Sequence, residues 1–273
     1  MNLAIETRGL FRQFGTQTAV DHVDLEVASG TFYGFLGPNG AGKSTTIKML
    51  TGLLAPTSGA IGILGMNPFD PVEALEIKRR IGVVPENLSL FDNLTAREYL
   101  TFVGRMFLLE RTVIEERSEE LLALMQLNEE EHKLALEFSH GMQKKLALAG
   151  ALLPNPDLLF LDEPFEGVDA VTSRVIREIL AEFTSRGSTV FLTSHVLEIV
   201  EKLCSHVGII SEGKLVLQSS LQDLKHGNRS LEQCFLDTLG ETDGPKQKLS
   251  WLESNKVNTL DVDRAATPQG PTP

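Results

Sequence analysis

The sequence predicts an α/β fold with a mainly parallel sheet, an N-terminal antiparallel β subdomain and an α-helical subdomain. Short apolar runs within residues 31–36, 81–84, 158–161, 189–193 and 207–210 each fit a strand buried on both faces, as parallel strands are. Helical segments lie between them, the longest within residues 94–127. Residues 3–27 show shorter alternating runs broken by Gly15 and polar residues, the pattern of antiparallel strands.

Leu3-Ala4-Ile5, Ala19-Val20 and Val23 to Val27 are the N-terminal strands, and Phe14 falls in the turn Arg12-Gln13-Phe14-Gly15. Its ring either stacks on a flat purine face or caps the edge of a small sheet. Tyr33 reads as core. The run 31–36 leads into Gly37-Pro38-Asn39-Gly40-Ala41-Gly42-Lys43-Ser44-Thr45, a match to G-x-x-x-x-G-K-[ST], before a helix-like segment from Thr45 to Leu53. A polyphosphate needs many inward-facing N–H donors, and glycines allow the backbone to supply them. Lys43 then reaches the β- and γ-phosphates, the Ser44 hydroxyl is placed for Mg²⁺, and the helix dipole adds to the same site. The plainer reading is a glycine-rich turn.

Thr57-Ser58-Gly59 and Asn67-Pro68 mark turns, and the strand Ile81 to Val84 ends at Pro85-Glu86-Asn87. Glu86 either faces the metal and attacking water or is a solvated loop acid. Within 94–127, Leu121, Leu122, Leu124, Met125 and Leu127 make an apolar side and Glu115, Glu116, Glu119 and Glu120 a solvated one. The helical subdomain is placed at about residues 88–155. Ser139 stands as an N-cap before a helix from Lys144 to Leu153.

The run 158–161 ends in Asp162-Glu163, which brings two carboxylates to the strand edge where ligands bind in open α/β sheets. Asp162 completes a Mg²⁺ shell with Ser44, and Glu163 is the best general-base candidate; helix N-capping is the other reading of the pair. His195, after another core strand, either orients water and stabilises charge near the γ-phosphate or is structural. Residues 214–217 are strand-like, and Leu231, Phe235 and Leu239 share one face of a short amphipathic segment at 221–240. Residues 241–273 are polar, end in Thr267-Pro268-Gln269-Gly270-Pro271-Thr272-Pro273, and are expected to be a disordered tail in which Trp251 and Leu252 form a small anchor.

The apolar fraction of 42% over 273 residues supports an ordinary core. A formal net charge of −12 without any Lys/Arg run argues against direct nucleic-acid binding. Cys204 and Cys234 have no metal-ligand spacing and read as reduced core thiols. The longest apolar stretch, Leu146 to Leu161, is broken by Pro154-Asn155-Pro156-Asp157, and Met1 to Arg12 lacks a signal-peptide core. A chain soluble by itself is expected.

Taken together, residues from about 3 to 240 resemble the nucleotide-binding subunit of an ABC transporter, a P-loop NTPase. Gly37 to Thr45 is similar to that family's Walker A loop, Leu158 to Glu163 to its Walker B strand and Ser139 to Met142 to its LSGGQ signature. Glu166-Gly167-Val168-Asp169 resembles the D-loop, His195 the switch histidine, and Phe14 the aromatic residue that stacks on adenine. The resemblance implies an ATPase domain over residues 1–220 that uses ATP and Mg²⁺. It also implies a head-to-tail homo- or heterodimer, in which ATP lies between the phosphate loop of one subunit and Ser139 and Gly141 of the other. The segment Leu231 to Leu236 is similar to that of single-domain exporter ATPases. Such subunits sit at the cytoplasmic face of the membrane, peripheral through a separate integral permease. Three departures stand out: Ser-His-Gly-Met replaces Ser-Gly-Gly-Gln, Glu86 replaces the Q-loop glutamine, and Glu166 replaces the D-loop serine. Soluble ABC-type ATPases of translation or DNA repair usually carry two ATPase domains or a long coiled coil, which this sequence lacks. A regulatory nucleotide binder is expected to have lost Glu163 or His195, and both are present.

Overall fold

In the computed structural model, residues 2–226 and 230–239 are described. Two sheets organise them. Strands β1 (Leu3–Phe14), β2 (Gln17–Ala28) and β4 (Ser58–Ile63) form an antiparallel sheet in the order β2-β1-β4. The second sheet has the order β5-β6-β7-β3-β8-β9, built from β3 (Phe32–Leu36), β5 (Ile81–Val84), β6 (Leu158–Asp162), β7 (Thr189–Ser194), β8 (His206–Ser211) and β9 (Lys214–Ser220). Its pairings are parallel except β8 with β9.

The fully apolar strands still alternate, because successive side chains point to opposite faces. Along β6, Leu159 and Leu161 enter the core beneath the helices, whereas Leu158 and Phe160 enter the core shared with the antiparallel sheet. The same holds for Val190 and Leu192 against Phe191 on β7. Around Phe191 the rings of Tyr33, Phe35 and Phe160 lie with centroids at 5.6, 5.4 and 5.8 Å.

Three local expectations are corrected. The N-terminal strands are much longer than the apolar runs, since register shifts between Thr7 and Leu10 and beyond absorb the polar interruptions without ending the pairing. Ser58 and Gly59, expected in a turn, begin β4, where pairing with β1 decides over local turn propensity. Residues 94–127 form two helices, α3 (Ala96–Met106) and α4 (Arg111–Leu124). A Thr95–Glu98 capping box starts α3, and the chain reverses at Leu108, whose φ is 59°. Gly104 lets the two helices meet, because a Cβ there would stand 2.8 Å from Ile114 Cδ1. The buried face of α4 is Ile114, Ser118 and Leu122, so Leu124 turns outward and is 49% exposed.

The remaining helices are α1 (Lys43–Leu50), α2 (Pro71–Arg80), α5 (His140–Leu152), α6 (Ala170–Ser185), α7 (Leu197–Leu203), α8 (Leu221–His226) and α9 (Leu231–Leu239). Ser139 is the cap of α5, which starts four residues earlier than the sequence suggests. Leu231 and Phe235 of α9 pack on the main core, joined by Cys234 as a buried residue of the same helix. Cys204 and Cys234 are free and buried, and burial pushes the Cys204 thiol well above its usual range. Among the described residues no helix is long and apolar enough to cross a membrane. Residues 240–273, with Trp251 and Leu252, lie outside the described residues.

The Tyr33 hydroxyl is buried without a hydrogen-bond partner, and a Cβ on Gly208 would overlap its oxygen. Gly208→Ala is therefore expected to destabilise by about 1–3 kcal/mol, the usual cost of overpacking. Tyr33→Phe alone is expected to be neutral or stabilising, because it deletes an unpaired buried polar group. In a double-mutant cycle followed by thermal unfolding, Tyr33→Phe should recover most of the loss; simple additivity would refute the contact.

Candidate functional site

The strand order places β6, β7 and β3 side by side, so the segments that follow them converge on one sheet edge. A cavity of about 410 Å³ opens there. Asn39, Gly40, Gly42, Lys43, Ser44 and Thr45 line it from the loop after β3, with Glu86, Glu163 and His195 from the ends of β5, β6 and β7. Phe14 closes one wall. A roomier groove of about 540 Å³ between α4 and α6, lined by Leu121, Leu124 and Phe183, contains none of these residues.

The loop is held by backbone contacts that only glycine permits. Gly42 caps α1 at φ 109°, and a Cβ there would overlap the Ala19 carbonyl oxygen. No side chain caps α1 and its first turn has no acid, so its N-terminal N–H groups are left to an anion. Gly37, Pro38 and Ala41 form the base of the loop and do not line the cavity. Lys43 Nζ donates to the carbonyls of Gly37 (2.8 Å) and Pro38 (3.3 Å) and stands 3.6 Å from Glu163 Oε1. Ser44 Oγ lies 3.5 Å from Glu86 Oε2.

Asp162 is buried and off the cavity lining; its Oδ1 accepts from Thr193 Oγ1 at 2.6 Å. The same Thr193 oxygen accepts the Glu163 N–H at 3.1 Å. Glu163 has φ 48°, an uncommon conformation for a residue with a side chain. Its Oε2 is 3.0 Å from His195 Nδ1 and accepts the His195 main-chain N–H at 3.4 Å. Its Oε1 is buried with no hydrogen-bond partner. One carboxylate oxygen is thus anchored by His195, and the other faces the Lys43 ammonium without a hydrogen bond.

Phe14 ends β1 and is 45% exposed, with the Arg12 guanidinium 4.4 Å from the ring centroid. It is both an edge residue of the sheet and a cavity wall.

Ser139 and Gly141 are not in this cavity. Ser139 Oγ accepts the Met142 N–H at 3.3 Å at the head of α5, and Gly141 lies close to the Asp169 and Thr172 side chains. Asp169 caps α6, and hydrogen bonds from Thr172, with Val171, hold its carboxyl below the usual range. The structure therefore separates the sequence-predicted residues into two surfaces of one chain.

Sequence reasoning missed Gln17, Ala19, Thr193 and Lys144. Gln17 faces Phe14 across the β1–β2 hairpin, so a longer hairpin reading would have found it. Thr193 and Lys144 enter through tertiary contacts and carry no local signal.

The family profile described as "ABC transporter" matches residues 20–166. The bacitracin transport ATP-binding protein BcrA of Bacillus licheniformis is 42% identical over 230 residues, 84% of this chain and 74% of that protein. The Nod factor export ATP-binding protein I of Cupriavidus metallidurans is 37% identical over 224 residues, 82% of this chain and 73% of that one. Among solved structures, an ATP-binding subunit of an ABC transporter superposes with a TM-score of 0.80 at 29% identity, covering 86% of this chain and 99% of that chain. A dimeric bacterial ABC transporter cassette gives a TM-score of 0.74 at 25% identity, with 80% and 98% covered.

Proposed function

The chain belongs to the ABC transporter family, and from that premise we propose that it drives export of a substrate through a separate integral membrane permease. As a member of the family it binds ATP and is an ATPase coupled to transport. In the proposed assembly it works as a head-to-tail homo- or heterodimer at the cytoplasmic face of the membrane.

The observation that carries the hydrolytic role is the Glu163 carboxylate, with Oε2 held by His195 and Oε1 free of hydrogen bonds but ion-paired with Lys43 at 3.6 Å. A carboxylate so placed takes the proton of an attacking water, while His195 keeps its orientation. Lys43 moves its donors from the Gly37 and Pro38 carbonyls to the β- and γ-phosphates, and the N–H groups at the head of α1 bind the same anion. Phe14 offers its free ring face to the adenine.

The chemistry of the donor set fits Mg²⁺. Glu86, Glu163 and Glu166 line the cavity against the single ammonium of Lys43, so a triphosphate entering it gains from a divalent cation. Ser44 and Glu86, which line the cavity, would hold the ion together with phosphate oxygens, and Asp162, buried behind the lining, would act on it through water, which suits the preference of Mg²⁺ for few protein ligands. When bound, it neutralises charge that develops on the phosphates. Glu86→Gln is expected to raise the Mg²⁺ concentration for half-maximal ATPase activity by roughly tenfold, about 1.4 kcal/mol. Identical Mg²⁺ curves for both proteins would make Glu86 a solvated loop acid.

The permease is supported by an exposed apolar patch five residues beyond Glu86. Phe91 and Phe102 meet edge to face at 4.8 Å, and Met106 and Leu108 extend the apolar surface. The names of the relatives, bacitracin transport and Nod factor export, support an export role. An affinity-tagged chain recovered from detergent-solubilised membranes should bring an integral membrane protein with it, and Phe91→Ser/Phe102→Ser should release that protein. Recovery of an active ATPase free of any integral protein would overturn the assignment.

A further inference from the structure

Lys144 lies on α5, five residues beyond the Ser139 cap, and is only 3% exposed. A buried ammonium needs hydrogen bonds and opposite charge. Its Nζ donates to the main-chain carbonyl of Glu163 at 2.6 Å, 19 residues away in sequence. Burial pulls the Lys144 pKa down, and Glu166, Glu163, Glu86 and Asp162 oppose that shift by attracting the charged form.

The bond falls on an unusual residue. Glu163 stands at φ 48°, a conformation that persists in a residue with a side chain only where its surroundings hold it. Three groups grip its backbone: Thr193 Oγ1 accepts the N–H, and the C=O accepts from Lys144 Nζ and, at 3.2 Å within the local turn, from the Glu166 N–H. Of these, the Lys144 bond alone ties the peptide plane after Glu163 to α5, while His195 on Oε2 holds the carboxylate itself. The helix that supplies this grip begins at Ser139 and Gly141, outside the cavity that Glu163 lines.

We propose that Lys144 is a positioning residue for hydrolysis, tying the head of α5 to the backbone of Glu163. Through it, a nucleotide seated against Ser139 and Gly141 by a partner subunit sets the geometry of the same chain's own Glu163. The link makes each hydrolytic centre answer to the nucleotide bound at the other. It rests on the ATPase and head-to-tail dimer reading above.

The test compares kcat, KM, ATP-driven dimer formation and thermal stability of the full chain for wild type, Lys144→Met, Lys144→Arg and Lys144→Gln. Met fills similar space without a donor, whereas Arg and Gln retain N–H donors. Lys144→Met is expected to lower kcat by roughly 10- to 100-fold with KM within about twofold and dimer formation intact, as for loss of an interaction made in the transition state. Arg or Gln should recover a substantial part of that rate. Wild-type kcat in Lys144→Met overturns the proposal. Equal losses in all three variants, in step with lowered unfolding temperature, also overturn it, because they mark a packing role alone. A wild-type chain that neither hydrolyses ATP nor dimerises with it sinks the underlying ATPase reading, an outcome seen before any variant is compared.

Discussion

Replacing Glu163 by Gln is expected to lower ATP turnover by about 10²- to 10⁴-fold while ATP stays bound, the range for removing a general base. Gln keeps the size of the side chain and an oxygen able to accept from His195, so the architecture around Thr193 and Lys144 should persist. It removes the negative charge that lies 3.6 Å from Lys43 Nζ, which frees that ammonium for phosphate and lessens repulsion of the γ-phosphate. Nucleotide affinity should hold or rise, and ATP-bound dimers should accumulate. Phosphate release at saturating ATP, paired with light scattering of the eluted protein, measures both effects. An unchanged rate in the variant removes Glu163 from this role, whatever happens to the dimer.

Mixing Lys43→Ala chains with Ser139→Ala chains is expected to restore activity that neither possesses alone. Lys43 lines the cavity and Ser139 heads α5 outside it, so a head-to-tail pair assembles each site from both chains. A mixed dimer then holds one doubly damaged site and one intact site. With random assembly half the dimers are mixed and each offers one intact site, about a quarter of the wild-type sites. The rate per site should fall below wild type, because that site's Glu163 shares its chain with the altered head of α5. Mixed dimers trapped by crosslinking but without activity would count against the shared site. The exception is obligatory coupling of the two sites, in which one intact site is silent beside a damaged one.

Much of the candidate site was legible because its chemistry is local. The phosphate loop needs glycines and a lysine within nine consecutive positions, and the Asp162-Glu163 pair ends an apolar run. Ser139 could be read as a cap because a hydroxyl before a helix has a backbone use in any fold. The helical region was less legible. Its composition marked residues 94–127 as helical without locating the reversal at Leu108. Gly104 allows α3 and α4 to fold against each other, and Leu124, read as part of the apolar side, is left outside the contact. The long β1 and β2 were hidden for a related reason, since half-exposed strands tolerate polar residues that interrupt an apolar pattern.

The sequence by itself determined the class of the fold, the strands buried on both faces, the phosphate loop and the carboxylates at the end of β6. Each of these depends on side-chain pattern over a few residues. Only the tertiary structure decided which strands are neighbours. The apolar runs are interchangeable as patterns, and nothing within them says that β7 lies between β6 and β3. That order brings Lys43, Glu163 and His195 into one cavity across 152 positions, from 43 to 195. It also decided the grip of Thr193 and Lys144 on Glu163, because a hydrogen bond between distant residues is set by the packing of the helices and strands that carry them.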